Sequence, residues 1–434
     1  MAAEQAVAAT TTDPAADRIF ANRDFAKLWA GETVSQIGTQ VTLFALPLVA
    51  ILTLKATVFE VGVLNALRFV PVIVVAVLAG VGLDRRRRRP VLITCSAASA
   101  VLIGLIPLAQ LTGMLSLGLL YVVTLLVGTL SVCFDVGALS YVPYLVGRQH
   151  LIEANSKLQA STAFAGIAGP GLAGLLIGLI TAPITLTVDA VSYLFSVAGL
   201  IAIRRPEPAP ETGQRPSVRR SMAEGFRAVY GTRLLRVLLG QSATLNVGFG
   251  ATSTIFTVYA VRTLGLTPLK LGIALGALQA GALLGALGAA RVKRALGLGR
   301  TLAAAIVAVS ASPLLLLAPH SATPAAVAVF AASWLGHGFG IAVWNVNTIT
   351  LRQAVTPTRL LARMNATYRM LLFGALPVGA IAGGLLGTAV GLHTALIVAV
   401  IVLTVPIAWI FFSPVFRLTE MPSISPEDAQ EGAR

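Results

Sequence analysis

Charged residues and cysteines are both scarce in this sequence. Asp, Glu, Lys and Arg make up only 11% of its 434 residues, whereas hydrophobic residues make up 56%. That balance excludes an ordinary water-soluble protein, in which charged residues are about a quarter of the chain. The two cysteines, Cys95 and Cys133, stand alone in apolar segments, so neither a disulfide framework nor a thiolate metal site is expected.

Motifs that mark enzymes and nucleotide-driven pumps are also missing. His, Asp and Glu do not cluster at metal-ligand or catalytic spacing. The sequence has no Gly-x-x-x-x-Gly-Lys-Ser/Thr loop that would hold nucleotide phosphates. We therefore expect no enzyme activity, no metal and no cofactor, and any transport energy should come from an ion gradient.

Long apolar runs dominate what is present. A bilayer core about 30 Å thick needs roughly 20 apolar helical residues, and about twelve such runs follow one another between polar or Gly/Pro-rich breaks. The predicted fold is all-α and membrane-spanning, with two bundles of about six helices each around a central cavity. The bundles are residues 28–203 and 235–414. Residues 1–27 and 415–434 are predicted cytoplasmic tails, and residues 204–234 are a cytoplasmic linker with an amphipathic helix.

The formal net charge of +15 is explained by membrane orientation rather than by nucleic-acid binding. Most of the 32 Lys and Arg residues fall in the termini and in alternate loops, and such an asymmetry identifies the cytoplasmic side. We predict a multi-pass monomer in the lipid bilayer of a bacterial cytoplasmic (inner) membrane, with both termini in the cytoplasm.

One acidic residue interrupts the most basic loop. Gly80-Val-Gly-Leu-Asp84 is followed by five arginines, Arg85 to Arg89, between the second and third predicted spans. Asp84 is placed to cap a helix N-terminus or to pair with an arginine, and Gly80 permits close helix packing. The alternative is ordinary anchoring of the loop by its arginines.

A glycine-rich stretch occupies the fifth predicted span, where Gly169 and Pro170 stand among small residues. Small residues let helices approach closely, and proline removes one backbone hydrogen bond and can kink a helix. The stretch therefore predicts a surface for close packing and bending, with generic helix packing as the alternative.

Polar groups within the spans are costly in a membrane and are therefore functional candidates. Arg68 lies nearest the midplane, where it would meet an anionic substrate or exchange carboxylate partners; a fixed internal ion pair is the alternative. Asp135, toward the inner end of the fourth span, needs a cationic partner, for which Arg88 is a candidate by depth. The other proton-coupling or substrate candidates are Glu32, Asp189, Asn246 and Asn345.

Glu32 and Asp189 each have a simpler interpretation. Both lie near the end of a predicted span, from which a carboxylate can reach the headgroup region. Asn246 and Asn345 either line a cavity or join helices to each other, and the sequence leaves both possibilities open.

The loop motif resembles that of the major facilitator superfamily, Gly-x-x-x-Asp-Arg-x-Gly-Arg-Arg, with Arg87 in place of the second glycine. The resemblance implies that Asp84, Arg88 and Asp135 form a charge relay that stabilises an outward-facing state. The Gly-Pro stretch resembles the span-five motif of the antiporter, export-directed branches. The resulting set of conformational gating residues is Gly80, Asp84, Arg85, Arg88, Asp135, Gly169 and Pro170.

Two further stretches, residues 25–38 and 351–365, are similar to the branch that contains bacterial siderophore, macrolide and multidrug exporters. This resemblance implies proton-coupled antiport that exports a small amphipathic or apolar compound, such as a drug, secondary metabolite or siderophore, by alternating access. A proton-coupled importer of a small nutrient on the same fold is the alternative.

Overall fold

The computed structural model describes residues 22–83, 87–207 and 218–418, and this part of the chain is helical without a β-strand. The helices of the first half are α1 (Arg23–Leu48), α2 (Val58–Leu83), α3 (Arg88–Leu111), α4 (Leu117–Val146), α5 (Leu151–Ile180), α6 (Ala182–Thr185) and α7 (Thr187–Ala202). They are followed by α8 (Val218–Gly231), α9 (Arg233–Arg262), α10 (Pro268–Leu296), α11 (Leu298–Ala311), α12 (Pro324–Ala354), α13 (Leu361–Val390) and α14 (Leu392–Phe412). A π-helical turn, Val49–Thr53, continues α1.

Ten helical segments of the described chain are long and apolar enough to cross a membrane. Helices α2 and α9, which correspond to two more of the predicted spans, are not among them. Polar side chains such as Gln241 and Asn246 lower the mean hydropathy of α9, and the side chains of α2 beyond residue 74 lie outside the described residues. The all-helical membrane class is confirmed, and the count of twelve spans stays a prediction.

The first helix begins earlier than the predicted start at residue 28. Helix α1 starts at Arg23 because the Asn22 side chain accepts hydrogen bonds from the backbone N–H groups of Asp24 and Phe25, both at 3.1 Å. This side chain satisfies two donors that a helix start leaves unpaired.

The two halves of the chain use the same pattern of helix neighbours. In the first half, α1 packs on α5 and α7, α3 packs on α4 and α7, and α2 packs on α4. In the second half, α9 packs on α13 and α14, α11 packs on α12 and α14, and α10 packs on α12. This correspondence is the arrangement expected of two parallel repeats.

The halves meet mainly through two helix pairs, α5 with α10 and α2 with α13, and α2 also contacts α9. Glycine permits both of the main contacts. A Cβ atom added at Gly174 of α5 would lie 2.7 Å from Leu269 Cα, and one added at Gly384 of α13 would lie 2.9 Å from Phe59 Cα. The backbones therefore touch at distances that any larger residue would prevent.

These contacts lie at the end of the molecule away from α8. Two hydrogen bonds join the halves in the same region: Arg262 donates to the Ala56 carbonyl at 2.6 Å, and Asn65 donates to Thr254 Oγ1 at 3.0 Å. Toward α8, Asp135 of α4 and Arg369 of α13 are both exposed to solvent. The described state is thus closed at one end and has an accessible cleft at the other.

Helix α8 is held on the second half beside this cleft. It packs on α13, where the Glu224 carboxylate accepts a hydrogen bond from Arg363. Gly225 lies against Arg363 and Thr367 of the same helix. The linker is therefore attached to one of the helices that join the two halves.

A substitution at Gly174 tests the importance of close backbone packing. We expect Gly174→Ala to destabilise the protein by about 1–3 kcal/mol, because the added methyl group overpacks the contact with Leu269. Gly178 lies one turn further along α5 with no atom within 4 Å of an added Cβ, so Gly178→Ala is the matched control. Thermal unfolding in detergent should show a lower midpoint for Gly174→Ala alone; equal midpoints would contradict the packing argument.

Candidate transport site

The first half of the chain contains a cavity of about 270 Å³ between α1, α2, α4 and α7. Most of its walls are apolar side chains, including Leu43 and Phe69. Three side chains that are charged at neutral pH when free in water line the same space: Arg68, Asp135 and Asp189. The structure therefore brings together three of the residues that the sequence analysis selected.

A second, more polar cavity of about 200 Å³ adjoins the first. Glu32 and Asp135 line it together with hydroxyl and amide side chains from α1, α3 and α4. The residues that line both cavities are Thr39, Leu43, Ser131, Asp135 and Tyr193. An apolar space and a hydrogen-bonding space thus share a wall that carries Asp135.

Glu32 faces the interior of the bundle rather than the headgroups. Its Oε1 atom accepts a hydrogen bond of 3.1 Å from the Ser196 hydroxyl of α7. Ser196 is in turn 3.3 Å from the Ser96 hydroxyl of α3. These contacts hold the carboxylate of α1 among three helices and within the polar cavity.

Asp189 is buried, with only 1% of its surface exposed. Its Oδ1 atom accepts a hydrogen bond of 3.1 Å from Ser192, whereas Oδ2 has no hydrogen-bond partner in the described chain. Gly38 of α1 leaves room for this carboxylate, since an added Cβ would lie 2.7 Å from Oδ1. A buried carboxylate with an unsatisfied oxygen is costly in a membrane, which is why such groups are functional candidates.

Arg68 is exposed to the solvent-accessible space even though it lies ten residues into α2. Its guanidinium lies 5.2 Å from the centre of the neighbouring Phe69 ring. Among the described residues, no carboxylate oxygen lies within 4 Å of an Arg68 guanidinium nitrogen, the limit for an ion pair. The fixed internal ion pair that was the alternative for Arg68 is therefore not formed in this state.

Only part of the predicted loop motif can be placed. Gly80 lies in the last turn of α2, and Asp84 and Arg85 lie outside the described residues. Arg88 begins α3, where its backbone N–H donates to Glu207 Oε1 at 2.6 Å, while that of Arg89 donates to Oε2 at 3.0 Å. Glu207 therefore caps α3, a role for which the sequence analysis considered only Asp84.

A cation that was not predicted acts electrostatically on Asp135, and the relay of Asp84, Arg88 and Asp135 stays a prediction because Asp84 lies outside the described residues. Arg88 and Asp135 do not form an ion pair among the described residues. The cation whose charge acts on Asp135 is Arg369, which belongs to α13 in the other half of the chain. Sequence analysis missed Arg369 because a cation near the inner end of a span resembles a headgroup anchor.

Gly169 and Pro170 lie where α5 packs on α1 of its own half and on α10 of the other half. Gly169 packs on α1, where an added Cβ would lie 3.5 Å from Gln40 Cα. The Pro170 carbonyl group faces Gly272 of α10, whose added Cβ would lie 2.8 Å from the carbonyl carbon. The Gly-Pro stretch thus belongs to the contact that closes one end of the molecule. In the sequence, the Gly272-x-x-x-Gly276 pattern of α10 indicated a second helix surface suited to such close packing.

The two asparagines selected in the second half, Asn246 and Asn345, do not line these cavities. Asn246 donates a hydrogen bond of 3.0 Å to the Ser242 carbonyl within α9, and Asn345 is exposed on α12. Tyr193, which lines both cavities, was not selected from the sequence. Nothing in the sequence distinguished it from a packing tyrosine.

Comparisons with known proteins extend over nearly the whole chain. The sequence profile of the transmembrane secretion effector family matches residues 16–431. The multidrug efflux pump Tap of Mycolicibacterium fortuitum is 26% identical over 378 residues, which are 85% of this chain and 89% of that protein.

Solved structures share the fold at low identity. The nucleoside transporter NupG has a TM-score of 0.75 at 14% identity, covering 91% of this chain and 99% of that chain. A bacterial homologue of the human lysosomal transporter Spinster, inward-facing and unoccupied, has a TM-score of 0.69 at 14% identity, covering 93% of this chain and 98% of that chain. With the family match, these similarities establish that the chain is a multi-pass membrane transporter and not an enzyme, a member of the transmembrane secretion effector family of the major facilitator superfamily.

Proposed function

We propose that this transporter exports a small amphipathic compound in exchange for protons. The observation that carries the proposal is the pair of adjoining cavities, in which three carboxylates accompany a single cation, Arg68. None of these acids has an ion-pair partner within 4 Å in the described chain. Carboxylates held at depth without a bound cation are suited to carrying protons through a transport cycle.

The walls of the cavities indicate the kind of substrate. The larger cavity offers apolar side chains, and the smaller one offers hydroxyl, amide and carboxylate groups. Pockets of this composition bind an apolar body and orient it by a few polar contacts. The excess of acids over Arg68 favours a compound with a cationic or hydrogen-bond-donating group beside its apolar part.

Export is favoured over import by two similarities. Tap, the relative at 26% identity, is a multidrug efflux pump, and the Gly169-Pro170 stretch resembles that of export-directed antiporters. If both termini lie in the cytoplasm, as the distribution of Lys and Arg indicates, the cleft beside α8 opens to the cytoplasm. A compound would then enter from the cytoplasm and leave after the contacts of α5 with α10 and of α2 with α13 separate.

The membrane arrangement completes the proposal. Twelve spanning helices would place the protein in the cytoplasmic membrane of a bacterium, with α8 and the termini on the inner side. One chain contains both halves of the cleft, so a monomer suffices for alternating access.

Replacement of Asp189 tests proton coupling. In inverted membrane vesicles with an acidic interior, we expect the wild-type protein to accumulate members of a panel of lipophilic dyes and antibiotics until a protonophore is added. Asp189→Asn should reduce this accumulation by at least about tenfold, equivalent to about 1.4 kcal/mol, because the amide cannot exchange a proton.

Glu153, an acid at the start of α5 that lines neither cavity, provides the control Glu153→Gln, which should transport like wild type. Accumulation that survives Asp189→Asn would remove Asp189 from the coupling scheme. Movement of a panel compound only out of the inverted vesicles would instead favour the importer.

A second prediction concerns Arg68. Because no carboxylate lies in ion-pair range of its guanidinium in the described chain, Arg68→Gln should leave thermal stability unchanged while lowering transport about tenfold, or about 1.4 kcal/mol. Arg68→Lys keeps the charge and should retain part of the activity. Parallel unfolding and vesicle transport measurements test this; a large loss of stability would indicate a structural ion pair instead.

A further inference from the structure

Asp135 and Arg369 lie at the same depth on opposite walls of the cleft. Gly128 of α4 packs at the level of Pro71 of α2, with 3.2 Å between an added Cβ and Pro71 Cγ. Two residues further along α2, Ile73 packs against Gly374 of α13, at 3.6 Å from an added Cβ. These two contacts fix the relative heights of α2, α4 and α13.

Helix geometry then gives the depth of the two charges. Asp135 is seven residues beyond Gly128 toward the α8 end, which is about 10 Å at 1.5 Å per residue. Arg369 is five residues from Gly374 in the same direction, or about 7–8 Å, and the step from Pro71 to Ile73 adds about 3 Å. Both side chains therefore stand about 10 Å from the level of Gly128, on different halves of the molecule.

The two walls carry opposite charge. On the first half, Glu32 and Asp135 interact electrostatically. On the second half, Arg352 and Arg369 do the same. Arg352 is only 7% exposed and lies over the Tyr368 ring at 3.9 Å, with Nε and Nη1 lacking hydrogen-bond partners in the described chain. The interacting acids thus belong to one half of the molecule and the interacting arginines to the other.

No ion pair within 4 Å joins Asp135 to Arg369 in the described state, although the guanidinium charge acts on the carboxylate. Both residues are exposed, and Asp135 lines both cavities. Water in an open cleft weakens their attraction, and closure would strengthen it by bringing the charges together and expelling water. Opposite charges in these positions favour closing the end beside α8.

We propose that Asp135 and Arg369 form an ion pair across the cleft when the end beside α8 closes, and that protonation of Asp135 releases this pair. The inference rests on the alternating access of the proposed function. It assigns Asp135 a partner in the opposite half. Protonation of Asp135 in the first half is thereby coupled to closure of the first half on the second at the end beside α8. Arg88, by contrast, belongs to the same half as Asp135, so pairing with it would not link the halves.

Titratable and charged groups on several helices surround Asp135, and the experiment must distinguish their effects from that of Asp135. They are Glu32 of α1, Arg68 of α2, Cys95 of α3, Asp189 and Tyr193 of α7, and Arg369 of α13.

The test measures the opening of the cleft without substrate. Spin labels are attached to Gln149→Cys and Arg359→Cys, two exposed positions on opposite halves at the α8 end, after Cys95 and Cys133 are replaced by serine. Double electron–electron resonance gives the fraction of molecules with a short distance, the closed state. Asp135→Asn and Arg369→Gln should each lower this fraction about two- to fivefold, the range of a solvent-accessible ion pair.

Further variants distinguish this pair from the remaining charged groups of the cleft. The double variant Asp135→Arg with Arg369→Asp should restore the closed fraction. Acidification should open the labelled wild type, and Glu32→Gln should keep that response while Asp135→Asn loses it. Arg300, exposed at the start of α11, provides the control Arg300→Gln, which should leave the closed fraction unchanged.

The opposite results would overturn the proposal. An unchanged closed fraction in Arg369→Gln would assign Asp135 to Arg88. The same assignment would follow if Arg88→Gln lowered the closed fraction and the double variant Asp135→Arg with Arg369→Asp did not restore it. Because the distances need no substrate, this failure is distinct from failure of export. Proton-driven accumulation in vesicles with an unchanged Arg369→Gln distance distribution would keep the proposed function and reject only the pair.

Discussion

Backbone contact between the two halves is the constraint on which the rest of the structure depends. Helices α5 and α10, and helices α2 and α13, approach one another where glycine leaves no side chain between them. Lipid tails are as apolar as leucine side chains, so close packing rather than the hydrophobic effect holds such helices together. Closing one end in this way leaves the other end of the same helices apart, and the cleft follows.

The cost of polar groups in a membrane explains where the chemistry lies. Among the described residues, one oxygen of Asp189 has no hydrogen-bond partner, and Glu32 accepts a hydrogen bond from a serine hydroxyl. A protein that needed only stability would replace such groups with apolar residues. Their placement around one pair of cavities therefore supports a role in moving protons or substrate. Arg68, which has no ion-pair partner in the described part of the chain, lines the same space.

The described residues on both sides of the linker are held to helices of the bundles. Helix α8 is tied to α13 by the contact of Glu224 with Arg363, and α13 is one of the helices that join the halves. Glu207, just before the linker, caps α3 through the backbone of Arg88 and Arg89. The chain is therefore attached to α3 just before residues 208–217 and to α13 soon after them.

Sequence by itself determined the class of the protein, because about 20 consecutive apolar residues can be satisfied only as a spanning helix. The concentration of Lys and Arg in alternate loops predicts the orientation. Sequence also selected Glu32, Arg68, Asp135 and Asp189, since ionisable groups within spans are conspicuous. Tertiary structure alone decided which of them share a cavity and that Arg369 of the other half acts electrostatically on Asp135. Depth along one helix is encoded locally, but the partner across a cleft depends on how two distant helices pack.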